Sequence, residues 1–297
     1  MWFVMSLLAL LFWSGSDIFT KVGAKEGDLD SHLKISVVVG FVMGFHALAM
    51  ILSGKASVTL PDLIRYLPAS ALYILSMVIG YLGLRYIELS VSSPICNCSG
   101  AFSAILCLIF LHEAIDSLQA LGIILVTAGV FMLGVAESKE DEESRRKRQE
   151  LSGRHYRKDI RAFILPIVYC LLDTLGTFAD SAILVNMDED TANCAYELTW
   201  FACAVVILIY LFFVRKARFS VDQCLPMLSG ALCETAGQTA YVKALNDNPV
   251  TSAPIISSYC VLSCVWAALF LKERLSRRHY IALLFTIAGI VVMGFCE

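Results

Sequence analysis

Charged side chains are scarce in this chain. Asp, Glu, Lys and Arg make up 16% of its 297 residues, where a soluble domain carries about 25%. A soluble protein of this length needs more polar side chains to cover its surface. Composition therefore argues against a soluble enzyme and against a disordered chain. Positive charge is not in excess either. The formal net charge is −3, which supplies no basic field for a polyanion, so no nucleic acid partner is expected. A disulfide framework is also missing. The 11 cysteines are odd in number, and most lie in apolar runs (Cys96, Cys98, Cys107, Cys170, Cys203, Cys260, Cys264), where they read as small buried hydrophobes. His32, His46, His112, His155 and His279 are scattered without ligand spacing, so no metal site is expected. There is no Walker motif, and no nucleophile–base set appears. The chain is expected to be no enzyme and to use no cofactor. Residues 1–16 lack the basic start of a signal peptide, and they read as a first helix.

What is abundant is apolar sequence. Hydrophobic residues make up 58% of the chain, and the mean hydropathy is +0.72. A membrane-spanning helix needs about 20 mostly apolar residues. Ten runs meet that length: 2–20, 35–53, 66–85, 91–111, 118–136, 162–185, 193–214, 225–244, 250–271 and 279–296. They are continuous rather than alternating, which argues against a β-barrel. Ten runs alternate in direction, so their connections fall on two sides. One side holds 20 of the 23 Lys and Arg residues; the other holds only Lys55, Arg65 and Lys243. The positive-inside rule assigns the rich side to the cytoplasm. A multi-pass protein of the plasma membrane (a bacterial inner membrane) is expected, with both termini outside and the 137–161 connection cytoplasmic.

That connection is the one sizeable polar segment. It carries Glu140–Glu143 and then Arg145–Arg148, with Asp141–Arg145, Glu142–Arg146 and Glu143–Lys147 spaced as helical i,i+4 pairs. It reads as a solvated linker more readily than as a basic patch for anionic lipid, because the acids dilute the basic charge.

Shifted by 160 residues, the chain matches itself. Tyr81 falls on Tyr241, Ser92 on Ser252, Pro94 on Pro254, Ser103 on Ser263, Glu113 on Glu273 and Gly129 on Gly289. In all, 11 of 54 ungapped positions are identical. Asp116 falls on Ser276, and both suit a helix N-cap. Each half holds five runs, an odd number, so the second half must enter the membrane upside down. The fold expected is an all-α membrane protein of ten transmembrane helices in two inverted five-helix repeats: 1–136, a charged linker over 137–161, and 162–297. Inverted repeats of this kind are a common construction of secondary transporters, with the substrate site near the midplane.

Several segments carry a family resemblance. They are Leu11–Ser16 (LFWSGS), Phe110–Glu113 (FLHE) and Phe270–Leu275 (FLKERL), the latter two each followed by Ala-Gly-x-x-x-x-Gly at 128–134 and 288–294. The chain resembles the drug/metabolite transporter superfamily, EamA type, over nearly its whole length. The resemblance implies two EamA-like five-helix domains and a central cavity lined mainly by helices 1, 3, 4, 6, 8 and 9, with helices 5 and 10 peripheral. Substrates of such proteins span amino acids, drugs, nucleobases and sugar derivatives. Members usually read as termini-inside, whereas the charge count here gives termini-outside.

Polar groups within the runs are the candidate site residues, because an ionised side chain at bilayer depth costs about 2.5–3.5 kcal/mol. Glu234 lies centrally in its run, with Gln238 and Tyr241 on the same helical face. Asp173 and Asp180 share a face in the sixth run. Asp17 and Lys21 are spaced to pair locally, and Lys21 falls on Asp180 at a shift of 159, so those two could also meet across the pseudo-axis. Trp13, Tyr73, Tyr81, Tyr241 and Tyr259 offer aromatic surface, and Asn97 is a central uncharged polar group. The expected substrate-binding set is Glu234, Gln238, Tyr241, Tyr81, Asp173, Asn97, Trp13 and Tyr259. Glu234, Asp173 and Asp17 are the proton-coupling candidates, since a carboxylate away from water takes up a proton more readily. Glu197 reads as interfacial, and His46 as packed or interfacial. Pro94 and Pro254 read as first-turn prolines rather than helix breaks, and Gly40-x-x-x-Gly44 as a close helix contact. The function expected is a secondary active carrier working by alternating access on a small organic metabolite, proton-coupled or an exchanger. The alternatives are a lipid-headgroup flippase, or a membrane sensor acting through 137–161. The partners expected are a small-molecule substrate and membrane lipid, around a monomer or homodimer.

Overall fold

Apolar runs of about 20 residues leave the backbone no water to bond, so it must satisfy itself within helices. The computed structural model describes residues 1–25, 28–84, 86, 89–112, 115–138, 160–271 and 277–295, and among these it is all helix and turn, with no strand. In chain order the helices are α1 (Trp2–Gly23), α2 (Ser31–Leu52), α3 (Leu60–Gly83), α4 (Leu89–Cys96), α5 (Ser99–Phe110), α6 (Ser117–Ser138), α7 (Ile160–Leu184), α8 (Glu189–Tyr210), α9 (Val221–Asp247), α10 (Pro249–Ser257), α11 (Tyr259–Phe270) and α12 (Arg277–Gly294). Seven spans are long and apolar enough to cross a membrane: α1, α2, α3, α7, α8 with its π-helical extension Leu211–Arg215, α10 with α11, and α12. Residues 139–159, most of the charged linker, lie outside the described residues, as do Glu113, Glu273 and Ser276.

Local chemistry sets the helix starts. At α3 the Thr59 backbone N–H and hydroxyl both donate to Asp62, at 2.9 and 2.5 Å. Asp188 caps α8 by accepting from Thr191 N at 3.0 Å, and Asn248 caps α10 through Thr251 N at 3.2 Å. Asp116 accepts from Gln119 N at 2.7 Å ahead of α6, the cap its sequence position suggests.

Two of the sequence runs prove to be broken. The run 91–111 divides into α4 and α5 at Asn97–Cys98, and the run 250–271 divides into α10 and α11 at Ser258. Pro254 is not a first-turn residue but the sixth residue of α10, so Val250 lacks its i+4 backbone donor. The helix that holds the 225–244 run is longer than the run, because α9 carries Asp222 and Asp247 at its two ends.

The long helices pack in antiparallel pairs: α1 with α9, α2 with α8, α3 with α7, and α6 with α12. Small residues let their backbones approach. Along α1 and α9, Gly15 lies against Cys233, Gly230 against Thr20, and Gly23 against Met227. A side chain at Gly40 would overlap Trp200, and one at Gly44 would overlap Phe201, so the Gly40/Gly44 pair is the close contact its spacing indicates. The α3–α7 contact is reciprocal: Gly80 of α3 receives the ring of Tyr169, and Gly176 of α7 receives the ring of Tyr73. Between α6 and α12, Gly122 meets Met293, Val126 meets Gly289, and Gly129 meets Thr286. Outward-facing Phe45, Phe131, Phe212 and Leu284 are exposed. None of the ten described cysteines is disulfide-bonded.

Candidate functional site

The sequence scatters polar residues over six runs, and the helix pairing gathers them around one central cavity. Its walls come from α1, α3, α4, α5, α7, α9, α10 and α11, plus Tyr196 of α8. Trp13, Asp17, Tyr81, Asn97, Asp173, Glu234, Gln238, Tyr241 and Tyr259, the nine residues singled out from sequence for substrate or proton binding, all line it. The cavity volume is ≈ 80 Å³, room for a few water molecules.

Three carboxylates face this space, each held by hydroxyls. Asp17 accepts from Ser93 and Ser263, both at 2.7 Å. Asp173 accepts from Ser99 at 2.6 Å. Glu234 is buried and faced by the Ser16 hydroxyl. No Lys, Arg or His stands among the described lining residues. The donors come from the short helices: Ser93 in α4, Ser99 at the start of α5, and Ser263 in α11. Asn97, at the α4–α5 break, donates to the Ser93 carbonyl at 2.8 Å.

Aromatic rings fill much of the remaining wall. Trp13 lies 5.0 Å from Tyr241 and 5.8 Å from Tyr259, centroid to centroid. The indole packs against Gly237, where a methyl group would overlap it. Among the described residues lining this cavity, three buried polar atoms have no hydrogen-bond partner within the protein: the Trp13 Nε1, the Tyr81 Oη and the Gln238 Nε2. Buried polar groups are nearly always paired, so unpaired ones in a cavity wall mark it as built for something else to bond.

One end of the cavity is closed by a hydroxyl network. The Tyr73 and Tyr241 hydroxyls share a 2.5 Å hydrogen bond, Tyr241 donates to Thr177 at 3.3 Å, and Tyr66 and Tyr73 donate to Asp180 at 2.6 and 3.3 Å. Asp180 is fully buried behind this network. The local and cross-axis pairings open to Lys21 are not the bonds seen. Its ammonium donates to the Leu84 carbonyl at 2.5 Å, while Asp17 and Asp180 take hydroxyl donors. Glu197 is fully buried against the neighbouring helix, with His46 Nδ1 at 2.8 Å and the Asn193 amide at 3.2 Å. Beyond the ends of α1 and α2, Lys34 bonds Asp28 at 2.6 Å and the Arg218 carbonyl at 2.6 Å, and Gln223 reaches Asp28 at 3.2 Å. Among the described residues no three His, Cys, Asp or Glu side chains gather as metal ligands.

Sequence reasoning missed Tyr66, Tyr169 and Tyr196, which the helix packing brings to the cavity wall and to Asp180. It also missed the hydroxyls on the carboxylates. For Ser263 a signal existed, since it is one of the repeat-matched positions.

Apolar spanning helices around an acid-lined, aromatic cavity define a multi-pass membrane protein with an internal polar site. The profile of the EamA-like transporter family matches residues 1–135 and 195–295, and the chain belongs to that family. A curated relative from Lactobacillus johnsonii, named "Putative sugar uptake protein", is 26% identical over 129 residues, covering 43% of this chain and 44% of that one. The match thus spans less than half the length of that relative. A solved crystal structure aligns over 100% of this chain and 99% of its own at 12% identity, with a TM-score of 0.70, a likeness of fold.

Proposed function

We propose that this chain is a secondary carrier that moves a small, polar, non-anionic organic solute of sugar-like chemistry by alternating access. The observation that carries the reading is the central cavity, where three carboxylates stand without a cation among the described lining residues. An anionic solute would meet uncompensated repulsion there. Hydroxyl groups of a polyol would accept from the unpaired Trp13, Tyr81 and Gln238 donors, and the Trp13–Tyr241–Tyr259 surface would cover apolar ring faces. The name of the Lactobacillus johnsonii relative points to the same class.

Alternating access needs two packings of similar energy. Two inverted five-helix halves would supply them, and the packing supports that reading. Gly129 meets Thr286 while Gly289 meets Val126, so residues separated by 160 exchange partners across an antiparallel pair, as a two-fold axis requires. The α1–α9 and α3–α7 pairs exchange in the same way. The cavity volume of ≈ 80 Å³ corresponds to a contracted state that must widen to admit a ligand. Coupling is assigned to Glu234, Asp173 and Asp17, which would exchange protons for the solute. The charge asymmetry supports termini outside and 137–161 inside.

Uptake of labelled neutral monosaccharides and of gluconate by proteoliposomes, with and without a pH gradient, tests the reading. Neutral sugars should accumulate, more strongly with the gradient, and gluconate should not. Preference for gluconate, or no flux of any neutral sugar, would overturn it.

A further inference from the structure

A second cavity, much larger than the first at ≈ 620 Å³, opens between α5 and α6. These helices follow one another in the chain, yet they scarcely touch, because α6 packs on α12 and α5 packs on α10. The cleft between them is walled by aliphatic and aromatic side chains. Phe102 and Ile105 stand on one side and Ile124 and Phe131 on the other, all more than half or about half exposed toward the bilayer.

The cleft adjoins the central cavity. Asn97 and Ser257 line both, and they sit where α4 gives way to α5 and where α10 ends. The cleft runs from there to Leu108 and Ile115, about 15 Å along α5 at 1.5 Å per residue. Its polar end is therefore the buried one, and its far end, near the connection between α5 and α6, is apolar. An ordinary bilayer lipid has the opposite polarity, with its headgroup at the surface and its chain toward the midplane. A further polar atom, Thr127 Oγ1, lies in the wall, buried and without a partner.

We infer that the α5–α6 cleft is a second subsite of the central cavity, which seats the alkyl chain of an amphiphile whose polar, non-anionic head enters past Asn97 and Ser257. The occupant is a single-chain amphiphile with its head in the protein and its tail in the cleft. This extends the proposed function from hydrophilic solutes to their alkylated derivatives, and it rests on the central cavity being the site for the polar head. Adding chain carbons to such a ligand should strengthen binding until the cleft is filled, because each buried methylene contributes in proportion to the area it removes from water or headgroup contact.

The test uses the full chain in proteoliposomes and an octyl glucoside bearing a photoreactive diazirine at the chain end. After irradiation, adducts are mapped by mass spectrometry. Labelling should concentrate on Phe102, Ile105, Ile124 and Phe131 and be displaced by excess unlabelled octyl glucoside. Phe45, an exposed apolar residue on α2, should label only as bulk lipid contact does, without displacement. Filling the cleft with Ala128→Phe should lower the displaceable labelling about tenfold, the change expected when roughly two chain carbons lose their burial. Ala101→Phe, on the opposite wall, serves the same purpose if the first variant does not fold. Labelling of α5 and α6 that is not displaced, or that survives both fillings, would overturn the inference. Displaceable labelling in a protein that moves no free sugar would sink the proposed sugar transport and leave the alkyl subsite standing.

Discussion

The hydroxyls of Tyr73 on α3 and Tyr241 on α9 meet at 2.5 Å, joining two helices whose main packing partners differ, α7 for one and α1 for the other. Asp180 of α7 accepts from Tyr73 behind them, so three helices converge on one hydroxyl. Under the proposed alternating access, opening at this end of the central cavity would part this contact.

Removing the Tyr73 hydroxyl should loosen that end. In Tyr73→Phe, Tyr241 keeps Thr177 and Asp180 keeps Tyr66, and the two hydrogen bonds of the lost hydroxyl go, each a net contribution of about 0.5–1.5 kcal/mol. Hydrogen–deuterium exchange over 66–73 and 238–247 should quicken by a few-fold, with the rest of the chain unchanged. Asp180→Asn should act in the same direction. Unchanged exchange in both variants would mean that the network does not hold the closure.

Glu234 is the carboxylate on α9 that faces the cavity beside Gln238 and Tyr241. Glu234→Gln keeps its size and removes its charge and its proton. Counterflow of solute should persist in this variant, while accumulation driven by a pH gradient should fall at least tenfold. Comparing the two fluxes in one proteoliposome preparation separates lost coupling from lost binding. Retained gradient-driven accumulation would pass the coupling role to Asp173 or Asp17.

Gly129 lies where α6 meets α12, and a Cβ there would overlap Thr286 Oγ1 and crowd the backbone of α12. Gly129→Leu should destabilise the protein by about 1–3 kcal/mol, as overpacking does. The expected outcome is a lower midpoint of thermal unfolding in detergent. Because α6 and α12 supply none of the described residues lining the central cavity, ligand affinity at low temperature should change little.

Acid should weaken the clasp between the α1–α2 connection and the start of α9. Burial raises the Asp28 carboxyl, but the Lys34 ammonium at 2.6 Å, the Asp30 N–H at 3.1 Å and the Gln223 amide outweigh it and hold the group below its ordinary value. A folded value below the unfolded one contributes stability that is present above the ordinary carboxylate range and is lost as pH falls through the depressed value. Asp28→Asn should therefore be less stable than the parent at neutral pH, and the two should converge at strongly acid pH. Thermal unfolding measured across that range checks it; a gap that stays constant with pH would show that the aspartate charge does not matter there.

Much of this was legible along the chain. The apolar runs placed the helices, because a bilayer leaves the backbone no other way to bond itself. Helical spacing put Glu234, Gln238 and Tyr241 on one face, and that face does line the cavity. The 160-residue repeat marked Gly129 and Gly289, which each receive the other half's helix. The readings that failed were those about partners. Lys21 and Asp180 looked complementary, yet a backbone carbonyl and two tyrosines hold them. For Glu197, the place near a helix end gave no sign of its partner, which the packing of α2 on α8 supplies as His46.

By itself, the sequence determined that its apolar runs would be helical and which face of each would be polar, since both follow from spacing and from the cost of exposing backbone or charge to hydrocarbon. Only the tertiary structure decided which polar face meets which, that the fourth and ninth runs break at Asn97–Cys98 and Ser258, and that an apolar cleft shares Asn97 and Ser257 with the polar cavity. Those outcomes depend on helices far apart in the chain coming together, and no local pattern of side chains encodes the approach of two backbones.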